Sequence, residues 1–419
     1  MGNERSAFWR LSPRSAACAL AGMALAASAI AAAPAALAGG PAGWQRLSNL
    51  SSAAGSAQVK NYDEPTVGRL GANLQVIWPT QVSSSQMAYS TAILDAAGRV
   101  VTPSTPIITG WTGLTKDPRL ITVAGTQFLA FSGIQTTDSS NPYALGSEYY
   151  ATSPDGLTWT VGGGSLSQST SAYADYGNDA VDNASVPVWV GNPGTVNGIR
   201  WHSGVSAAIP ATEPDSAFNL SGCCAYHAAA ARDNATGSVF AAFSSNSSSP
   251  AEQGIQVGQI LPTAGAFTQA PGSVVTRAGA AYSLAADQRV AMVSRPGGGV
   301  LVAYKVGYPT TSRIRVWHVG TAQTIDIPGS PGASTVAMAA APDGEVWVTW
   351  IANGRVKAVR ISSSRVIPGS AISWARPPKT SSLWKIAASA GSPKHLDVVI
   401  TATGPGDSIN VWHRHTVHR

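Results

Sequence analysis

Two short pairs, Asp117-Pro118-Arg119 and Asp287-Gln288-Arg289, are the residues of this chain best suited to chemistry. On an extended strand residues i and i+2 share a face, so each pair sets a carboxylate beside a guanidinium. A guanidinium grips planar carboxylates with two parallel hydrogen bonds, and carboxylates suit sugar hydroxyls or general acid–base work. Lys385 falls in the slot of Arg289 in a later repeat, Cys224 and Tyr226 fall in corresponding slots of an earlier one, and Glu64 and Asp182 open two others. The expected site therefore has Asp117, Asp287 and Tyr226 as catalytic candidates. Glu64, Arg119, Asp182, Cys223, Cys224, Arg289 and Lys385 are its ligand-binding candidates. A second reading stays open, in which each Asp-x-Arg pair ties neighbouring sheets together through a partly buried ion pair.

Cys223 and Cys224 are adjacent, and the third cysteine, Cys18, lies near the N-terminus. In an oxidising compartment such a pair can close a strained vicinal ring, outside the usual Cα spacing and enclosing no loop. Its value would be a rigid apolar ledge for a sugar face; two reduced core thiols or a bridge to another chain are the alternatives. Two adjacent thiols with His227 lack the ligand spacing of a zinc site. Tyr226 and His227 are neighbours, so a regular strand sends them to opposite faces, which weighs against a lyase-type His/Tyr pair. Gly297-Gly298-Gly299 reads as a turn because no helix follows it. No metal or cofactor is expected.

Positioning such residues requires a scaffold, and the sequence repeats one. Val290, Pro296 and Tyr304 map onto Val336, Pro342 and Trp350 without a gap, at a period of 46 residues. Each copy carries a short apolar strand, a Pro/Gly turn and an alternating strand. Copies start near residues 64, 117, 182, 224, 287, 333 and 384, and third-strand candidates such as Arg313–His318 and Arg355–Arg360 follow. No segment after the N-terminal region shows a 3.6-residue apolar period. Four antiparallel strands per unit, arranged radially, make an all-β fold: a β-propeller of seven four-stranded blades, or six if the copy near 182, with its Pro187, is an insertion. The last copy ends after three strands, and Trp44–Leu47 offers a spare one. Pairing the two closes the ring and removes two exposed edges.

Ser153-Pro154-Asp155-Gly156-Leu157-Thr158-Trp159 resembles the Asp-box of the sialidase-like propellers, with Tyr149-Tyr150 and Trp159 as strand-like flanks and Asp155-Gly156 as a turn dipeptide. Glu64-Pro65-Thr66-Val67 resembles the opening of a first blade there. The family box carries one more residue between its Asp and Gly. The resemblance implies a hairpin between outer strands, with Asp155, Gly156 and Trp159 structural and remote from any site. It also implies glycan chemistry at the mouth of the tunnel. Sialidases clamp a carboxylate with three Arg; Arg119 and Arg289 fill two such places, Arg69-Leu70-Gly71 does not match the Arg-Ile-Pro motif, and no Tyr/Glu pair can be assigned. Sialic-acid hydrolysis itself is therefore not expected.

Residues 1–38 read as a signal peptide: Arg5, Arg10 and Arg14, an Ala-rich run, then Ala36-Leu37-Ala38. Residues 39–419 are expected to form a single propeller domain, secreted and extracellular, from a bacterium, with no membrane span after cleavage. Losing the first 38 residues removes three Arg and one Glu and takes the formal charge from +6 to +4. That charge is spread along the chain, so no nucleic-acid partner is expected. A monomer binding a glycan or polysaccharide is. Two classes stay open: an enzyme, of glycoside-hydrolase type before lyase type, or a non-catalytic lectin-like or protein-interaction scaffold.

Overall fold

A computed structural model of the chain describes residues 43–48, 64–83, 86–111, 113–134, 147–162, 178–192, 197–204, 216–222, 224–284 and 288–417. Ala36–Arg419 forms one compact unit. Within it lie seven four-stranded antiparallel sheets and one two-stranded hairpin. Blade 1 consists of Thr66–Leu70, Asn73–Ser83, Gln86–Leu94 and Val100–Trp111. Blade 2 consists of Gly113–Val123, Thr126–Ile134, Ser147–Ser153 and Thr160–Val161; blade 3 of Asn178–Asn183, Val186–Gly191, Gly198–Ser203 and Ser216–Asn219. Blade 4 runs Ala225–Arg232, Val239–Asn246, Gln253–Leu261 and Thr268–Gln269; blade 5 runs Ala291–Ser294, Val300–Val306, Arg313–His318 and Thr324–Ile327. Blade 6 runs Ala333–Ala340, Val346–Ala352, Arg355–Ile361 and Ile372–Ala375. Blade 7 has Ser382–Ser389, His395–Thr403 and Ile409–Val417 from the C-terminal end, and Gln45–Arg46 as its outer strand.

The first strand of each blade packs against the first strand of the next, and that of blade 7 packs against that of blade 1. The ring is closed, with seven blades. The region near 182 is a complete sheet rather than an insertion, and Pro187 pairs with Asp182 close to the hairpin turn, where the ladder is ending. Closure is made by the N-terminal strand, Gln45 opposite His413 and Arg46 opposite Trp412.

Blades pack face to face, so both faces of a blade are buried and inner strands read as nearly continuous apolar runs. In blade 6, Val346, Val348, Trp350 and Ala352 face blade 5, while Trp347 and Ile351 face blade 7. Among the described residues each of the seven seams carries its own apolar cluster. Sheets converge toward the axis, which favours small side chains there, and Ala228–Ala231 of blade 4 are all buried. Bulky rings fill the wider part: Trp44, Trp78, Trp189 and Trp347 are fully or nearly fully buried. Each contributes roughly 1.5–3 kcal/mol or more by apolar burial.

The Asp155 hairpin is built as the residue types dictate. Asp155 Oδ1 accepts from the amides of Leu157 (2.8 Å) and Thr158 (2.7 Å), and the Gly156 amide donates to Ser153 Oγ (2.8 Å). Trp159 Nε1 donates to the Gly156 carbonyl at 3.0 Å. Gly156 has φ +77°, and a Cβ there would meet the Gln75 amide at 2.7 Å, so only glycine fits. This hairpin joins the two outer strands of blade 2, away from the tunnel.

Candidate functional site

The first strands of the blades all start at one end of the ring, and their opening residues meet at the axis. There lies a cavity open at one end and lined by residues of blades 1, 2, 3, 5, 6 and 7. Glu64, Thr66, Arg119, Asp179, Gln288 and Arg289 give it a polar end; Val67, Val290, Met292, Val336, Met338 and Ile386 give it apolar walls.

Arg289 crosses this end like a spar. From the start of blade 5 its Nη1 lies 3.6 Å from Glu64 Oε1 of blade 1. Its Nη2 donates to the Pro118 carbonyl of blade 2 (2.9 Å) and its Nε to the Asn178 carbonyl of blade 3 (3.3 Å). Nε also stands 3.7 Å from Asp179 Oδ1. The preceding residue reaches the other way: Gln288 Nε2 donates to the Val336 carbonyl of blade 6 (2.7 Å), and its Oε1 accepts from the Ile386 amide of blade 7 (3.4 Å). Val290 completes the circuit by donating its amide to the His227 carbonyl of blade 4 at 3.2 Å. Three consecutive residues thus touch all six other blades.

Asp179 is the second centre. Arg119 Nε pairs with its Oδ1 at 2.7 Å, the Ala180 amide donates to Oδ1 and the Ala230 amide to Oδ2, each at 2.8 Å. Three donors thus lie on this carboxylate, and the Arg289 guanidinium stands alongside them. Burial draws the Arg119 guanidinium below its ordinary range; Asp179 pushes it back up, Arg289 draws it down further, and Glu64 raises it. Glu64 and Asp179 flank one guanidinium and so lie within roughly 10 Å of each other, a span an inverting carboxylate pair can use. Here that gap is filled by the guanidinium itself.

Arg119, Arg289 and Glu64 are brought together, and the described carboxylate partners of the two arginines come from other blades. Arg119 pairs with Asp179 of the next blade. The strand carrying Asp117 and Arg119 has register shifts between Leu114 and Lys116 and between Lys116 and Arg119, so i and i+2 need not share a face. Asp117 lies in that strand with its side chain outside the described residues. Asp287 and Cys223 also lie outside them, and the first strand of blade 5 begins only at Ala291. Asp182 is not at the cavity: its Oδ1 accepts the Ser185 amide at 2.8 Å and holds the hairpin turn at the opposite end of its strand. Lys385 is 5% exposed, donates its amide to Thr401 Oγ1 (3.1 Å), and does not line the cavity. Tyr226 is the second residue of the first strand of blade 4, where the register shifts before Ala229 and His227 has φ +55°. The regular alternation that separated Tyr226 from His227 is therefore absent.

Asp179 and Gln288 had not been singled out. Counted back from the first hairpin turn of each blade, Thr66, Arg119, Asp179 and Lys385 hold the same position, four residues before Leu70, Val123, Asn183 and Ser389. Anchoring the repeat on its turns rather than on its first apolar residue would have found Asp179.

Cys224 sits on the linker between blades 3 and 4, on the same end of the ring. It is not a free thiol. The linker is braced: Glu252 accepts from the Ser221 amide (3.0 Å), Ser221 Oγ (2.7 Å) and Ser247 Oγ (2.8 Å), which hold its carboxyl below the usual range. The Asn246 amide donates to the Cys224 carbonyl at 3.1 Å. Among the described residues no group of His, Cys, Asp and Glu could hold a metal, and no helix is long and apolar enough to cross a membrane.

No protein-family model matches the chain. No curated protein matches it either. Solved structures do share its fold at low identity. A puromycin-hydrolyzing peptidase of Mycobacterium tuberculosis aligns over 89% of this chain and 56% of its own, with 11% identity and a TM-score of 0.51. A protein of unknown function from Dyadobacter fermentans aligns over 90% and 100%, at 11% identity and a TM-score of 0.49. The NanB sialidase of Streptococcus pneumoniae aligns over 90% and 70%, at 9% identity and a TM-score of 0.48. At these identities the likeness is one of fold.

Proposed function

We propose that this chain is a secreted propeller of sialidase-like type that binds a glycan at the tunnel mouth without hydrolysing it. Residues 1–38 act as its export signal and residues 39–419 as one binding domain, working as a monomer and without nucleic acid. The Asp155 hairpin, with its carboxylate on two backbone amides and its Trp159 capping the turn, supports the sialidase-like part.

One observation carries the non-hydrolytic reading. Asp179 is held by Arg119, by two backbone amides and by Arg289. A general acid must come within hydrogen-bond reach of the substrate, and a carboxylate already engaged by three donors with a second guanidinium 3.7 Å away is poorly placed to do so. The same cluster suits recognition: Arg119 keeps 29% of its side chain exposed, beside Thr66 and the apolar wall. The ledge of Cys223 and Cys224 belongs to this reading, as a vicinal bridge on the braced linker that receives the apolar face of a sugar ring.

Glycoside hydrolysis is the second reading, favoured by the closeness of Glu64 and Asp179 on one guanidinium. The deciding experiment incubates the secreted protein with neutral and acidic polysaccharides and reads retention and released reducing ends together. Retention without release is expected. Release abolished in Glu64→Gln would establish the hydrolase, and neither retention nor release would overturn both.

A further inference from the structure

A two-stranded hairpin, Val274–Arg277 and Ala280–Ser283, stands outside the seven blades on the linker between blades 4 and 5. In a four-stranded meander, linkers to the next blade and loops between second and third strands return to the end where first strands begin. The hairpin and the loop after Val306 therefore share the mouth face. They meet there through a stack: the rings of Tyr282 and Tyr308 are 4.5 Å apart and 17° from parallel. Tyr308 is 36% exposed, so this pair spends apolar aromatic surface on solvent. A second, open cavity lined by Leu284 and Lys305 shares Gln288, Arg289, Val290, Ala291 and Val336 with the tunnel cavity.

Among the described residues at the mouth end of blades 5 and 6, arginines outnumber acids. Arg313 and Arg355 begin the third strands of blades 5 and 6, and Arg376 follows the last strand of blade 6, all at the mouth end and all exposed. Arg277 ends the first strand of the hairpin and is exposed too. The described acid on these blades at that end, Asp326, is already shared by Arg315 at 2.7 Å and Arg313 at 3.2 Å. Aromatic faces stack on pyranose rings through their apolar C–H side, and guanidinium forks read carboxylate and sulfate groups.

We infer that the mouth-face rim of blades 5 and 6 binds an acidic polysaccharide, with a pyranose ring on the Tyr282–Tyr308 stack and its flanking anionic groups on Arg277, Arg313 and Arg355. This deepens the reading above by naming the ligand class. It rests on glycan recognition at this face but not on the Arg119–Asp179 cluster.

The test uses the full secreted protein against immobilised polygalacturonate (carboxylate) and dextran sulfate (sulfate), with neutral dextran and single-stranded DNA as controls. Retention on one of the two acidic glycans is expected, and which one tells carboxylate from sulfate. Affinity should fall steeply with salt as neutralised charges release their counterions. Arg277→Gln with Arg313→Gln and Arg355→Gln should weaken binding by roughly tenfold or more, and Tyr308→Ala by about fivefold, at unchanged melting temperature. Equal retention on DNA, or loss in the arginine variant with none in Tyr308→Ala, would reduce the rim to an ion exchanger and overturn the site. Binding lost in Arg119→Gln but kept in every rim variant would overturn the rim while sparing the tunnel-mouth reading. No retention on either acidic glycan, with retention on neutral dextran, would do the same.

Discussion

Arg289 sets its guanidinium 3.6 Å from the Glu64 carboxylate, and this ion pair joins the fifth blade to the first across the axis. Both side chains are nearly buried, 11% and 5% exposed. A charge in that position is held by its partners, so the pair is best understood as part of the axle of the ring that also borders its cavity.

Removing the spar should therefore be felt in stability. Arg289→Ala removes one cationic neighbour from each of Glu64 and Asp179 and unlatches four carbonyl or carboxylate contacts on blades 1–3. A cost of about 3 kcal/mol is expected, since breaking one side of a buried pair strands the other charge. Urea unfolding of Arg289→Ala, Glu64→Gln and the double variant measures it. The double variant should be more stable than the sum of single losses implies; strict additivity would mean the two side chains do not interact.

The closing strand makes the second prediction. Trp44 is fully buried, stands edge-on to Trp374 at 6.4 Å, and donates Nε1 to the Ala375 carbonyl at 2.8 Å, with the Arg414 guanidinium over its ring. Trp44→Ala should cost about 3–5 kcal/mol. Deleting residues 39–48 should do more than destabilise, because the strand Ile409–Val417 would become an open edge. Light scattering should show concentration-dependent association for the deletion and none for Trp44→Ala at equal folded fraction.

The architecture was legible because a propeller writes itself in local signals. A turn dipeptide and a short apolar strand recur in each blade, and the surplus strand at Trp44–Leu47 matches the deficit after Trp412. The site was legible only in part. Arg119, Arg289 and Glu64 were found because a charge at the start of an inner strand has few other places to go. Their partners were hidden for two reasons. Bulges in the first strands of blades 2, 4 and 7 break the two-residue rule, and nothing in residue type marks them. The partner of Arg289 also lies 225 residues earlier in the chain, a pairing that only the closed ring creates.

Cys224 gives a third prediction. If Cys223 and Cys224 form a vicinal bridge, it encloses no chain loop and constrains the unfolded state little. Cys224→Ser should then shift the melting temperature by no more than a degree or two while weakening glycan retention. Alkylation of the secreted protein without reductant should label neither thiol. A variant that is no longer secreted or folded would make the cysteines structural and remove the ledge.

Acid sensitivity separates two carboxylates that differ in how they are held. The amides of Thr158 and Leu157 bring the Asp155 carboxyl down to about 2, against burial. Its unfolded counterpart titrates near 3.9, so its contribution is complete above roughly pH 4 and disappears as pH falls through about 2. Asp397, between blades 7 and 1, goes lower still. Burial opposes the shift, but His413 and His415 at 2.9 Å each and Arg69 outweigh it. Its contribution should therefore survive further into acid. Asp155→Asn should melt below the parent at pH 7 and converge with it as pH drops from 4 to 2. Asp397→Asn, which strands Arg69, should cost about 3 kcal/mol at pH 7 and keep most of its deficit at pH 3. Melting temperatures of both variants and the parent, taken across pH 7 to 2, decide the matter. A gap for Asp155→Asn that stays constant with pH would mean that its amide-bound carboxylate is not what tightens the hairpin.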